Sequence, residues 1–205
     1  MKRLSQAITF LATSILALAA SLPAAAEGVK DDLSYVGLAW TQVEFDRVLG
    51  HRKARTSAGT LILGTYISDY IKTEIRAGVG IDTDEINTST TARDEFGQQP
   101  YASIGLDDYL SWYMGVLYPV TDYITVSAQY GFTRMIGKVE YPDPDQQTSL
   151  PESLTDSSFS MSYILGADFK LYDGLWGTLE YGRLHKDTIT EIRTTQMSLG
   201  LKYEF

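Results

Sequence analysis

Ionisable side chains of both signs alternate along one short segment of the sequence. Lys72, Glu74 and Arg76 follow one another at intervals of two residues. In an extended strand, this spacing places all three charges on the same face. Glu180 and Lys202 lie on similar alternating segments. If these faces point into an enclosed space, the charges must either pair with one another or line a polar path, because an unpaired buried ion costs several kcal/mol.

Candidates for catalysis and for metal binding are few. The chain has two His, His51 and His185, and no Cys. His185 has no nucleophilic Ser beside it, so we interpret it as a solvated loop residue rather than part of a hydrolytic site. Asp143 and Asp145 offer two carboxylates in a Pro-rich segment, which is a weak set of ligands for a divalent cation. We therefore predict no enzyme activity, no cofactor and no metal site.

The residues from Met197 to Phe205 indicate which kind of element carries the charges. Every second residue from Met197 is large and apolar, and the residues between are small or polar. A period of two with one apolar face predicts a strand that has lipid or a core on one side and a polar space on the other.

The first residues have the composition of a secretory signal peptide. A positively charged start precedes an apolar stretch over residues 7–20, and small residues occupy positions 24–26. This is the usual order of signal and cleavage site. We predict a cleaved signal peptide over residues 1–26 and one mature domain over residues 27–205. A membrane-anchoring helix is the less favoured alternative, because the apolar stretch is short for a span of roughly 20 residues.

Eight segments alternate between apolar and polar residues, and short turns alternate with longer polar segments, apart from a short last connection near residues 186–187. The segments lie at about residues 34–47, 57–66, 71–81, 102–118, 124–132, 159–170, 175–185 and 190–205. The second is apolar on both faces, so its orientation stays unassigned. In the fourth, the alternation can be traced from Leu110 back to Ala102. We predict loops at residues 82–99 and 137–157 and a short turn at residues 119–122.

This arrangement predicts an all-β fold, a single eight-stranded antiparallel up-and-down barrel in a bacterial outer membrane. Such barrels have an even strand number, short periplasmic turns and longer external loops. The alternative is a soluble sandwich or lipocalin-like barrel, which would bury its apolar face and expose its polar face. Here the polar face is rich in Gly, Ser and Thr, which are too small to cover a soluble protein.

The composition narrows the classes of partner. The chain of 205 residues has 17 Lys plus Arg and 26 Asp plus Glu, giving a net charge of −9. Such an acidic chain is a poor candidate for binding nucleic acid, because Lys and Arg are needed to neutralise phosphates. Its 14 Tyr, 7 Phe and 3 Trp suit strands and the aromatic girdles of membrane barrels.

Together these features resemble the small OmpA/OmpX-like outer-membrane β-barrel family. The residues that carry the resemblance are Tyr35-Val36-Gly37-Leu38 at the first strand and Leu199, Leu201, Tyr203 and Phe205 at the last. It covers essentially the whole mature chain and implies an eight-stranded barrel in the outer membrane. It also implies that the four C-terminal residues are an assembly signal recognised by the barrel assembly machinery after export through the periplasm. We expect a monomer.

A barrel of about eight strands has room inside only for side chains. We therefore favour a static set of interior ion pairs formed by Glu74, Arg76, Glu180 and Lys202, with a gated polar pore as the alternative.

We predict that a cluster of basic residues lies together in the first outer loop of this otherwise acidic chain. Its members are Arg47, Arg52, Lys53 and Arg55. Lipopolysaccharide phosphates lie at that level of the membrane, and Arg and Lys suit phosphate binding. A solvated loop explains the cluster equally well. Two functions stay open: a structural barrel that contacts lipopolysaccharide or an external partner, and a narrow channel for small solutes or hydrophobic molecules.

Overall fold

The computed structural model describes residues 30, 33–48, 52–87, 101–140, 158–186 and 193–205. These residues form nine strand segments. In chain order the segments are β1 Ser34–Val48, β2 Arg52–Ser68, β3 Ile71–Gly80, β4 Thr83–Asn87, β5 Tyr101–Thr121, β6 Ile124–Glu140, β7 Ser158–Tyr172, β8 Leu175–Lys186 and β9 Arg193–Glu204.

Antiparallel pairing closes these segments into one barrel. β1 pairs with β2 on one side and with β9 on the other. Successive strands from β5 to β9 pair with each other. β3 and β4 both pair with β5, one after the other, so they share a single position in the wall. The barrel therefore has eight positions around its circumference, and the predicted strand number is confirmed.

The two ends of the barrel differ. One end, which we call the turn end, carries the turns Asp69–Tyr70, Asp122–Tyr123 and Asp173–Gly174. Gly174 has a φ of 73°, a conformation that side chains other than Gly rarely adopt. Ser34 and Phe205 meet at the same end, where each backbone N–H donates to the carbonyl of the other at 2.9 and 2.8 Å. The opposite end, the loop end, carries the longer connections at residues 88–100 and 141–157, which lie outside the described residues.

Successive residues of each strand point to opposite sides of the wall. The outward face carries large apolar side chains, including Ile75, Leu165 and Leu199, which are 53–61% exposed. The inward face carries polar side chains, including Glu74 and Gln196, both of which are buried. This apolar exterior around a polar interior is the opposite of a soluble barrel and is typical of a barrel that borders lipid.

The structure assigns the orientation of β2, which the sequence left open. Ala58, Thr60 and Ile62 are buried in the interior, whereas Leu63 points outward. β2 also begins earlier than predicted, at Arg52, because its backbone pairs with β1 as far as Val48, the last residue of that strand. The prediction that the basic residues lie in a loop is therefore wrong for Arg52, Lys53 and Arg55, which belong to β2.

The strands reach further towards the loop end than predicted. β4 and the last residues of β6 lie in segments that the sequence predicted as loops. Thr83–Asn87 pairs with Tyr101–Gly105, and Glu140 pairs with Ser103. At the turn end, Pro119–Thr121 likewise continues β5. Polar composition misled these predictions, because backbone pairing extends a strand beyond the segment that needs an apolar outer face.

A β-bulge at Asp107 reverses the inward face of β5. Leu106 pairs with Gly137 and Asp108 pairs with Ile136, so Asp107 is an extra residue on β5. The alternation traced from Leu110 had placed Ala102 on the same face as Leu110. Instead, the bulge turns a second set of apolar side chains inward, namely Ala102, Ile104 and Leu106.

The break between β3 and β4 depends on Gly80. A Cβ at Gly80 would lie 1.7 Å from the carbonyl oxygen of Leu106, so only Gly permits this approach of the two backbones. Beyond the break, a side chain takes over from the backbone ladder: Asp84 Oδ2 accepts from the backbone N–H of Arg55 at 2.8 Å. The wall stays closed although the regular pairing of β2 with β3 has ended.

Candidate functional site

An ion pair crosses the interior from one side of the barrel to the other. Arg76 lies on β3 and Glu180 on β8, which are four positions apart in either direction around the wall. Arg76 Nη1 donates to Glu180 Oε2 at 2.5 Å, and Nη2 donates to Oε1 at 2.8 Å. This two-bond geometry suits the planar guanidinium. Both side chains are buried, so the pair obstructs the lumen at its middle.

Glu74 joins the same cluster and is held by several donors. Arg76 Nε donates to Glu74 Oε2 at 2.8 Å, and Lys72 Nζ lies 2.8 Å from Oε1. The hydroxyl of Tyr35 donates to Oε1 at 2.6 Å. With its amide nitrogen directed at Glu74, Gln129 donates at 3.0 Å and accepts from Arg76 and Lys72. Two cations and two carboxylates balance here, which is what allows them to be buried.

Lys202 belongs to a second cluster, closer to the turn end. Its Nζ lies 2.8 Å from Asp168 Oδ2 and 3.4 Å from Glu204 Oε1. It also donates to the hydroxyl of Tyr66 at 3.0 Å, and that hydroxyl donates to Glu204. The structure therefore brings Glu74, Arg76 and Glu180 together but places Lys202 with other partners.

Lys30 precedes β1 and closes this end of the interior. Its Nζ lies 3.0 Å from Glu204 Oε1 and stands over the rings of Tyr66 and Trp176, 4.8 and 4.4 Å from their centroids. Its backbone N–H donates to Asp69 Oδ1 at 2.8 Å. Lys30 lies outside the alternating segments, so no pattern in the sequence indicated this contact.

A layer of hydroxyl groups lies beyond the Arg76 cluster, towards the loop end. Thr41 bonds to Thr60 at 2.8 Å and to Ser198 at 2.9 Å. Thr60 in turn bonds to the hydroxyl of Tyr109 at 2.6 Å. These bonds join side chains from β1, β2, β5 and β9 and satisfy them without any net charge.

Beside buried polar residues such as Thr194 and His185, the loop-end half of the interior contains a cluster of apolar side chains. They come from β1, β2, β4, β5, β6 and β8 and are almost completely buried. The cluster consists of Val43, Phe45, Ala54, Ala58, Ile86, Ile104, Leu106, Tyr109, Met135 and Leu184. We call it the apolar plug. The sequence analysis missed it, because β4 and the bulge at Asp107, which aim several of its members inward, were not predicted.

The basic cluster lies on the outside of the wall at the loop end. Lys53 and Arg55 belong to β2, where their side chains are 57% and 65% exposed. Both pair with one carboxylate: Lys53 Nζ and Arg55 Nε lie 2.6 and 2.7 Å from the oxygens of Glu44. Arg47 and Arg52 lie in β1 and β2, and their side chains are outside the described residues. The two described cations therefore share Glu44, and a second carboxylate, that of Asp84, accepts from the backbone N–H of Arg55.

Family membership follows from the whole chain rather than from one site. The family described as outer membrane protein beta-barrel domain matches residues 11–205. The chain belongs to this family. It is therefore an outer-membrane barrel, and its turn end faces the periplasm, as short turns do in such barrels.

Solved structures of small outer-membrane barrels share the fold. Ail, the attachment invasion locus protein of Yersinia pestis, is 13% identical, with 85% of this chain and 99% of that chain covered and a TM-score of 0.56. Neisserial surface protein A is 13% identical, with 87% and 100% covered and a TM-score of 0.56. OprG from Pseudomonas aeruginosa is 11% identical, with 87% and 98% covered and a TM-score of 0.53.

At these identities the likeness shows the fold alone. Ail has also been crystallised in complex with the heparin analogue sucrose octasulfate; that structure has a TM-score of 0.54 to this chain. None of the curated proteins is similar enough in sequence to give a match.

The C-terminal residues of the outer-membrane barrel lie on β9, the strand that closes the barrel by pairing with β1. Leu199 and Leu201 lie on β9 and point outward, more than half exposed. Tyr203 is on the same strand, and the backbone of Phe205 pairs with Ser34 beyond its end. Leu199 and Leu201 therefore lie on the outer face of the wall, and the chain continues through Tyr203 and Phe205 to the seam between the first and last strands.

The remaining candidates for catalysis and metal binding are His185, His51, Asp143 and Asp145. His185 lies on β8 opposite Thr194 and is buried, so the solvated loop position predicted for it is wrong. His51, Asp143 and Asp145 lie outside the described residues. Among the described residues, no three His, Cys, Asp or Glu side chains group so as to hold a metal ion. In the same part of the chain, no helix is long and apolar enough to cross a membrane.

Proposed function

We propose that this outer-membrane barrel is a non-enzymatic structural and surface-interacting protein. Its interior is closed, and its loop-end exterior contacts lipopolysaccharide phosphates. We further propose that it is a monomer, that residues 1–26 are removed as a signal peptide, and that the barrel assembly machinery reads its C-terminal residues.

The observation that carries a closed interior is the bridge between Arg76 and Glu180. It joins opposite walls with two hydrogen bonds, and the apolar plug lies beyond it towards the loop end. A small ion would have to displace the first and cross the second, whose side chains carry no charge. Both steps are costly, because a charge loses its hydration in an apolar space.

Planar bilayers test the closed interior. Purified protein should give little or no steady conductance. The double variant Arg76→Ala with Glu180→Ala, which removes the bridge, serves to detect whether the apolar plug alone still blocks current. Large and stable currents from the wild-type protein would contradict the proposal and favour a channel for small solutes or hydrophobic molecules.

The position of the cations supports contact with lipopolysaccharide. On the outer face of β2, Leu63 and Arg55 are separated by 63 − 55 = 8 residues. This corresponds to about 26 Å along the strand and to roughly 20 Å across the membrane after tilting. Arg55 and Lys53 therefore stand above an apolar band, at head-group height. Although both pair with Glu44, the side chains of Lys53 and Arg55 stay 57% and 65% exposed and accessible to phosphates. The complex of Ail with a sulfated sugar indicates that this fold can present a polyanion site.

Thermal unfolding with and without lipopolysaccharide tests this contact. The triple variant Arg52→Gln, Lys53→Gln, Arg55→Gln should fold normally but gain less stability on adding lipopolysaccharide, and the difference should shrink at high salt. Lys138→Gln is the matched control, because Lys138 is an exposed cation near the loop end that pairs with Glu140. An equal gain in the triple variant and the wild type would refute the contact.

Cellular fractionation tests the assembly signal. Deletion of Phe205 should lower the amount of folded protein in the outer membrane and leave precursor or degraded chain, whereas Phe205→Tyr should be tolerated. Unchanged outer-membrane abundance after the deletion would argue against recognition of the C-terminal residues.

A further inference from the structure

The turn end contains a group of side chains whose chemistry recognises an ammonium ion. The rings of Tyr66 and Trp176 and the carboxylate of Glu204 surround the Nζ of Lys30. Aromatic faces attract cations through their quadrupole, and a carboxylate adds a direct ion pair. We call Tyr66, Trp176 and Glu204 the ammonium cage.

The cage is built into the barrel, whereas its occupant is not. Tyr66, Trp176 and Glu204 lie on β2, β8 and β9 and are buried. Lys202 also contacts the cage: its Nζ is 5.7 and 5.8 Å from the centroids of the Tyr66 and Trp176 rings and pairs with Asp168. Lys30 precedes the first strand, and its side chain is 22% exposed. It can therefore leave without breaking any strand pairing.

The charges around the cage favour a cation there. Lys30 and Lys202 together balance Asp168 and Glu204. If Lys30 withdraws, one negative charge remains uncompensated beside two aromatic rings. Burial lowers the pKa of the Lys30 ammonium below its ordinary value, and the neighbouring Lys202 lowers it further, against the opposing effect of Glu204. Burial and Lys202 act in the same way on any ammonium ion in this place, so the attraction for a cation comes from Glu204 and the two rings.

We propose that the ammonium cage is a binding site for small primary alkylammonium ions on the periplasmic side, with Lys30 as its built-in competitor. Such an ion presents the same chemical group as Lys30, with an alkyl chain that packs between the rings. Diamines and polyamines belong to this class, because each ends in a primary ammonium group. The site is independent of the lipopolysaccharide contact, which lies at the opposite end of the barrel.

The probe is n-butylammonium, which reproduces the Lys side chain from Cβ outward. Trp176 is its reporter. The chain has 3 Trp, and the other two, Trp40 and Trp112, point outward from the wall. A parent with Trp40→Phe and Trp112→Phe therefore reports on the cage alone. Folded protein of the parent, and of the parent with Lys30→Ala, is titrated with n-butylammonium chloride and, for comparison, with sodium chloride.

The Lys30→Ala variant should show a saturable change in Trp176 emission with n-butylammonium and none with sodium at equal ionic strength. Its apparent Kd should be at least about tenfold lower than that of the parent, because the internal competitor is gone. Adding Glu204→Gln should weaken the response about tenfold or more. Lys138→Ala, made in the same parent, should behave like the parent.

Equal responses of the parent and the Lys30→Ala variant would overturn the proposal, as would a response that Glu204→Gln leaves unchanged. Heat-dependent gel mobility establishes that each variant is folded before titration. Lys30→Gln, which keeps the length and packing of the side chain but removes its charge, replaces Lys30→Ala if the latter does not fold. It should also bind n-butylammonium more tightly than the parent, and failure to do so would equally refute the site.

Discussion

The turn-end half and the loop-end half of the barrel interior are enclosed by the same wall but are filled by opposite chemistry. In the turn-end half, buried cations and carboxylates pair across the lumen, as Arg76 does with Glu180. In the loop-end half, the apolar plug fills the space with side chains such as Phe45 and Leu184. Between them lies a neutral layer of hydroxyl groups around Thr41.

The two halves therefore close the lumen by different physical means, one by pairing charges and the other by filling volume. The charged half depends on pairing, since every ion needs an opposite charge within bonding distance. The apolar half depends on volume, since a lost methyl group leaves a void but no unpaired charge. Substitutions should therefore differ in their cost and in their response to salt and pH.

Breaking the charged half should have the largest effect. Arg76→Met leaves Glu180 without the guanidinium that binds it at 2.5 and 2.8 Å. We expect a loss of about 3–5 kcal/mol in the free energy of unfolding, because a buried carboxylate is left unpaired. Urea unfolding in lipid vesicles measures this loss. The double variant Arg76→Met with Glu180→Met should recover much of it. If the single variant is as stable as the wild type, the bridge does not support the fold.

The comparison of the two halves assumes that their side chains point into the barrel. A substitution on the outer face of the same wall tests this assignment. Leu199 lies on β9 with its side chain 61% exposed, next to the inward-facing Ser198. Leu199→Arg should cost roughly 2–4 kcal/mol, because it places a charge in hydrocarbon. Folding titrations in bilayers measure it, with Leu199→Met as the control. An Arg at this position that folds as stably as wild type would mean that the register of β9 is wrong.

A conservative truncation in the apolar plug should have a smaller effect. Ile104→Val removes one buried methylene and should cost about 0.5–1.5 kcal/mol in unfolding free energy. The loss should be the same at low and high salt, since no charge is involved. A loss that changes strongly with salt would show that the loop-end half is not sealed from ions.

The smallest effect should come from the titration of Lys30. Its pKa is lowered by burial in the folded protein, so between that lowered pKa and about 10.5 the unfolded chain binds more protons than the folded one. Stability should therefore rise with pH across this window. Lys30→Met should lack this part of the rise, and the loss caused by Ile104→Val should stay constant. Unfolding curves at several alkaline pH values measure both, and an identical pH profile for wild type and Lys30→Met would contradict the contact at the turn end.

The sequence predicted the wall of the barrel but not the partners inside it. The period of two placed Glu74 inward and Leu199 outward, because a strand has only two faces. Which charges meet depends on the stagger of strands across the lumen, which no local pattern encodes. Lys202 was therefore grouped with Arg76, although it pairs with Asp168. Lys30 lies outside every alternating segment, so nothing marked it as part of the interior.

The loop end was harder to predict than the turn end for a related reason. There the strands have left the lipid, so their outer residues need not be apolar and the alternation fades. Lys53 and Arg55 were assigned to a loop because they are charged, yet they continue β2 through pairing with β1. Glu140 continues β6 in the same way.

Asp107, the extra residue of β5, changes which residues of the strand face inward. Every residue of β5 on its loop-end side has exchanged inside for outside relative to the turn-end side. The effect of an insertion or deletion in this strand therefore depends on its position and on whether the number of residues is odd or even. Loss of Asp107 alone would remove the bulge and leave Ile104 and Leu106 facing inward opposite their partners on β6, whereas loss of a single paired residue elsewhere in β5 would turn one part of the strand over. An odd change of length is thus absorbed at the bulge, and elsewhere in β5 a change that keeps both faces comes in steps of two residues.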